Sequence, residues 1–175
     1  MKDDAALRRV RQCGIACARP WSAALIAASL FASNLAAPAQ DQRTAPRDVI
    51  FARKTLMNST GEKLAELERM ASQNEVDVNR ARGDGNAMSV MLTAFPHLFP
   101  PASNQWKEGA TTDPAADTAA SPDIWVDFAD FYRQAAGAAK TANELSRADN
   151  ADEIKRLTRA LGIACDTCHA LYYKE

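Results

Sequence analysis

The sequence predicts an all-α chain whose main part folds as an antiparallel up-and-down four-helix bundle. Composition is the first observation: 175 residues with 47% hydrophobic and 25% charged content fall in the range of one ordinary globular domain. The second is the balance of residue types, with only seven glycines, a surplus of alanine, leucine, lysine and glutamate, and none of the β-branched and aromatic clusters that mark strands. The third is periodicity, since apolar residues beyond about residue 46 recur at spacings of three and four instead of alternating.

Residues 1–39 stand apart. A basic start with Arg8, Arg9, Arg11 and Arg19 runs into the apolar "WSAALIAASLFA" and then "NLAAPAQ", where Ala37-Pro38-Ala39 puts small residues at the two positions a signal peptidase reads. Cleavage after Ala39 is expected, making 1–39 a signal peptide and 40–175 the mature domain. Asp3, Asp4 and the long basic region leave an uncleaved anchor open, although Ser29, Ser33 and Asn34 cut the apolar run short of the roughly 20 residues that a spanning helix requires. Arg8-Arg9 is a weak hint of twin-arginine export. Cleavage removes Cys13 and Cys17, so Cys165 and Cys168 remain and a two-disulfide framework is excluded. It also takes Lys2, the four arginines, Asp3 and Asp4 from totals of 21 basic and 22 acidic residues, leaving a formal charge of −4. A mildly acidic chain without a basic block has no grip on phosphates, so neither a nucleic acid partner nor stable membrane insertion is expected.

Along the mature chain, Val49, Leu56, Thr60, Leu64, Leu67 and Met70 step by three, four and seven, placing one apolar stripe on a helix from about 46 to 72, with Pro46 in its first turn. A second helix is expected from about 76 to 94, with Val76, Ala87, Val90, Met91 and Ala94 inward and Gly83-Asp84-Gly85 weakening its middle. "FPHLFPPASNQWKEGATTDPAADTAASPD", with five prolines, reads as a long irregular connection that crosses the bundle or serves a site. Ser121-Pro122-Asp123 supplies a cap residue, a first-turn proline and a first-turn acid for a third helix to about 147. Its buried side is read as Trp125, Phe128, Phe131 or Tyr132, Ala135, Ala138, Ala142 and Leu145. Asn150-Ala151-Asp152-Glu153 resembles a capping box and opens the fourth helix, whose stripe is Ile154, Leu157, Leu161, Cys165, Cys168 and Tyr172. Short first and third connections around a long middle one make neighbouring helices antiparallel.

The fourth helix carries the chemistry. Cys165-Asp166-Thr167-Cys168-His169 fits the C-x-x-C-H pattern of covalent haem attachment. Helical residues three apart lie on adjoining turns, so both thiols can reach the two vinyl groups on one porphyrin edge. His169, four residues after Cys165, points the same way and can coordinate the iron. Three other readings compete. A redox disulfide belongs at an exposed helix start beside a βαβ fold. Zinc needs two further ligands, and His97 is the only other histidine. An inert pair of core cysteines leaves His169 unexplained.

From about residue 46 onward the chain resembles the class II c-type cytochromes, the cytochrome c′ and cytochrome c-556 family. "RKTLMNSTGEKL" in the first helix, "FPHLFPP" and "PDIWVDF" around the long connection, and "CDTCH" near the C-terminus carry the resemblance. It implies one covalent haem c held by Cys165 and Cys168, with His169 as proximal ligand. In that family an arginine on the distal side is followed four residues later by the side chain nearest the iron; here these positions are Arg53 and Met57. A methionine there matches the low-spin c-556 type, whereas cytochrome c′ proteins usually place a non-ligand there and are high-spin. Met57 is therefore read as distal ligand; open iron, or ligation by His97, Met70, Met88 or Met91, stays as alternative. Arg53 is too costly to bury unpaired and is matched to a haem propionate, with snorkelling to solvent as the other option. Tyr173 departs from the family, which commonly has an arginine four residues after the haem histidine.

The function expected is electron transfer in the periplasm with redox proteins as partners. The alternative is a five-coordinate haem that binds nitric oxide or carbon monoxide. No nucleophile with a base, paired-acid cleft or phosphate loop stands out, so an enzyme is not expected. The resemblance also admits a homodimer through the first two helices.

Overall fold

The computed structural model of the chain describes residues 45–109 and 117–174. The chain divides after Gln40 into two units, and every described residue belongs to the second, Asp41–Glu175. The expected signal segment 1–39 lies outside the described residues. Four long helices carry the fold: α1 (Pro46–Ser72), α2 (Val78–Ala94), α4 (Phe128–Leu145) and α5 (Ala151–Tyr172), with a single turn, α3 (Asp123–Val126), before α4. The connection after α2 holds two 3-10 turns, Phe95–Leu98 and Pro101–Ser103.

Local chemistry sets each boundary. α1 opens on Pro46 with Asp48 in its first turn, and stops where Asn74 takes a left-handed φ of 58° and the Glu75 N–H donates back to the Met70 carbonyl at 3.0 Å. The Asp77 carboxylate caps α2 by accepting from the Arg80 N–H at 3.0 Å. Asn150 caps α5 by accepting from the Glu153 N–H at 2.9 Å, while the Glu153 carboxylate reaches back to the N–H of Asp149.

Two expectations are corrected. The inward face of α2 is Ala81, Gly85, Met88 and Leu92, one position away from the stripe read in the sequence, and Val90 is 64% exposed. The cause is Gly85: a Cβ there would lie 2.7 Å from Leu145 Cδ2 and 2.9 Å from the Ser146 nitrogen, so α2 and the end of α4 approach through the missing side chain. The triplet expected to weaken the helix is its closest packing point. The expected third helix is two pieces, because Asp127 leaves helical geometry (φ −128°, ψ 66°) and its carboxylate accepts from the Asp130 N–H at 3.0 Å, capping α4 anew. The break turns Phe128 outward to 40% exposure, and Phe131, not Tyr132, fills the core.

Neighbouring helices run antiparallel, as expected. Gly85 packs against Leu145 while Leu92 and Pro96 share a groove with Tyr132 and Ala136, so α4 descends as α2 climbs. Lys155 donates to Asn74 and Gly162 abuts Glu68, which gives α1 and α5 the same relation. Two apolar clusters fill the interior. One is aliphatic, with Leu67, Met88, Ala142, Leu145, Leu157 and Leu161. The other is mainly aromatic, with Phe95, Phe99, Ile124, Phe131 and Tyr172.

Candidate haem site

Between the two clusters opens a cavity of about 820 Å³, within the range of about 300–1,000 Å³ usual for small-molecule and cofactor sites. α1 contributes Arg53, Met57, Thr60 and Leu64 to its wall; α4 contributes Phe131, Gln134, Ala135 and Ala138; α5 contributes Ala164, Cys165, Cys168, His169 and Tyr172. The long connection supplies Phe99, Trp106, Thr118 and Ala120, so that segment serves a site. All five residues singled out in the sequence line this one cavity, whereas His97, Met70, Met88 and Met91 do not.

Helical spacing explains the convergence on α5. Cys165 and Cys168 lie half-buried, Cys165 against the aliphatic cluster and Cys168 against the aromatic one, and His169 sits exposed one residue on. Both thiols are free. Burial, then Asp166 and Glu68, raises the Cys165 thiol, and burial, then Cys165 and Asp130, pushes Cys168 up to about 11. Thiols so placed stay protonated at neutral pH and are poor nucleophiles unaided. Met57 packs against both clusters, which puts its thioether at their junction. Among the described residues, no group of three or more His, Cys, Asp or Glu is placed to hold a metal ion directly.

Arg53 does not reach solvent; it is 3% exposed. Its guanidinium donates to Ser103 Oγ at 3.1 Å, to the Ser103 carbonyl at 3.2 Å and to Thr118 Oγ1 at 2.6 Å, and lies 4.7 Å from the Phe99 ring centroid. These partners are neutral, and burial lowers its pKa from 12.5 to about 10. A buried cation without a carboxylate partner among the described residues, on the wall of a large cavity, suits an acidic group on whatever fills that cavity. Sequence reasoning missed Ser103 and Thr118, which lie in a connection without periodicity. It also missed the Trp125 Nε1 hydrogen bond to the Phe99 carbonyl at 3.1 Å, which fixes an aromatic wall.

The donor set fits a c-type haem. Two thiols and an imidazole stand on one helix, a thioether on another, and a buried guanidinium beside it, while Ala135, Ala138 and Ala164 keep the wall shallow. The fold has direct counterparts. The cytochrome c′ of Thermochromatium tepidum superposes with a TM-score of 0.65 at 19% identity, covering 74% of this chain and 97% of that one. In sequence, the chain is 30% identical over 161 residues to cytochrome c-554 of Cereibacter sphaeroides, which spans 90% of this chain and 99% of that protein. It is 27% identical over 123 residues to cytochrome c-556 of Agrobacterium tumefaciens, 69% of this chain and 92% of that protein. The sequence profile described as Cytochrome C′ matches residues 48–173, from the third residue of α1 to just past the end of α5. With bundle, motif and match coinciding over that span, the chain belongs to the cytochrome c′ family, and its cofactor is that family's covalently attached haem c.

Proposed function

We propose that the protein is a periplasmic electron carrier, exported by the signal 1–39 and active as 40–175. Cys165 and Cys168 would hold the haem as thioethers, His169 and Met57 would ligate its iron, and Arg53 would meet a propionate. When bound, the group supplies a one-electron iron couple, and a histidine–methionine pair raises its potential relative to more basic ligands.

The observation that carries this reading is Met57, which lines the cavity on α1 while the C-x-x-C-H turn lines it on α5. Packing against both clusters restrains the thioether, so ligation demands little reordering. Phe99, Phe131 and Ile124 keep water from the interior side, and the exposed residues Asp166, Thr167 and His169 beside half-buried Cys168 leave a short path to a partner protein. No described helix is long and apolar enough to cross a membrane, which suits a partner met by diffusion.

Addition of carbon monoxide to the reduced protein tests the ligation. The reading predicts a low-spin spectrum that the gas leaves unchanged, and a Met57→Ala variant that becomes high-spin and binds the gas. A wild-type protein that binds carbon monoxide readily would instead make it a five-coordinate gas-binding member, with Met57 as a bulky neighbour of open iron.

A further inference from the structure

Beside the cavity, α4 and α5 are joined by a hydrogen bond to which the haem reading gives no role. Tyr172 closes α5 four residues beyond Cys168, and its ring, 9% exposed, stands edge-on to Phe131 with centroids 5.3 Å apart. Its hydroxyl donates to Asp130 Oδ2 at 2.6 Å. The other oxygen, Oδ1, accepts from Arg133 Nη2 at 2.7 Å. Tyr172 lines the cavity and Asp130 stands behind it.

The arrangement fixes a negative charge. A phenol this buried needs an acceptor, and an anionic acceptor makes the strongest bond. That bond is the main reason the Asp130 carboxyl lies below the ordinary range, with Arg133 and Gln134 adding to it. Asp130 is one hydrogen bond away from the cavity wall, where Tyr172 and Cys168 belong to the same aromatic cluster. Its counter-ion is weaker placed: the Arg133 side chain is 68% exposed against 25% for Asp130, so water and salt screen the cation more than the anion. Asp127, which also acts on Tyr172, has the same sign as Asp130.

We propose that Asp130, positioned by Tyr172, sets the reduction potential of this protein below the value its ligands alone would give, with Arg133 offsetting it from the solvent side. A bound haem would lower its charge by one on taking up an electron, so a fixed anion behind the cavity wall favours the oxidised form. Asp130 does not line the cavity and acts through the field. The inference rests on the haem site proposed above.

The experiment measures midpoint potentials of the holoprotein, Asp130→Asn and Arg133→Gln by spectroelectrochemical titration at one pH and low salt. Asp130→Asn keeps an acceptor oxygen for Tyr172 and removes the charge; its potential moves positive. Arg133→Gln removes the opposing cation from an exposed position; its potential moves negative. Both variants retain the wild-type absorption spectrum, which separates a field effect from altered ligation. An unmoved potential in Asp130→Asn, or shifts of the same sign in both, overturns the proposal. Should Asp130→Asn fail to accumulate, the sign of the Arg133→Gln shift decides: negative supports, zero or positive overturns. Covalent haem is scored first on a denaturing gel; colourless protein ends the site reading as well, whereas coloured protein with unmoved potentials ends this inference alone.

Discussion

Arg53 shows how much of the site a single position reveals and conceals. Its place four residues before Met57 was legible through the family resemblance, and helical spacing puts both on one face. Its seat was not, because Ser103 and Thr118 come from 50 and 65 residues away on a connection without periodicity. A cation held below its usual pKa by burial costs stability at neutral pH, and the cost is relieved only as pH rises from about 10 towards 12.5. The propionate proposed to meet Arg53 would offset it. Thr118→Val strips the shortest of the three hydrogen bonds and is expected to destabilise the holoprotein by about 1–3 kcal/mol in denaturant titrations; no change would mean that Thr118 is a bystander. Tyr172 gives the opposite titration. Burial, with Asp130, raises its hydroxyl from 10 to about 12, so the stability it contributes is complete below pH 10 and is lost as pH rises towards 12. The stability gap between wild type and Tyr172→Phe therefore narrows from pH 8 to pH 11; a constant gap would contradict the assignment.

At the scale of elements, helices with strong periodicity and caps were read closely from the sequence. α1 was expected from about 46 to 72 and runs Pro46–Ser72; α5 opens at its predicted asparagine cap. The failures have separate causes: contact between elements overrode the local pattern in α2, and a local cap broke the expected third helix. Gly85 turned α2 by one position because a missing side chain allows an approach that no stripe of apolar residues records. The expected cap Ser121 lies one residue ahead of the α3 N-cap, Pro122, and its Oγ accepts from the Asp123 N–H at 3.2 Å, while the Asp127 carboxylate restarts the helix as α4. Two glycines two residues apart give a sharp comparison. Gly85→Ala forces a methyl into Leu145 and the backbone at Ser146 and should cost about 1–3 kcal/mol through overpacking. Gly83→Ala meets nothing within 4 Å and should stabilise by about 0.5–1 kcal/mol through helix propensity alone. Thermal melts of the two holoproteins would move in opposite directions. If both fell, the close α2–α4 approach would not be the reason.

In the whole molecule, the two faces of the cavity are tied by one short strip of chain. Thr118 holds Arg53 beside Met57, while two and three residues on, Ala120 bridges to Tyr173 and the Ser121 N–H donates to the Tyr172 carbonyl at 2.9 Å, just beyond His169. The strip gives the long connection a role that its prolines alone did not disclose. Bundle and haem motif were legible together because both depend on the same three-and-four spacing, which set the cysteines on a buried stripe facing α1 and α4. What rests on that stripe is the thioether linkage itself. Protein purified from cells that export and mature it, denatured and stripped of non-covalent haem with acidified organic solvent, should show by mass spectrometry one haem per chain on the peptide containing Cys165 and Cys168, and Cys165→Ser/Cys168→Ser should carry none. A wild-type chain of unmodified mass, with both thiols open to alkylation, would contradict the account.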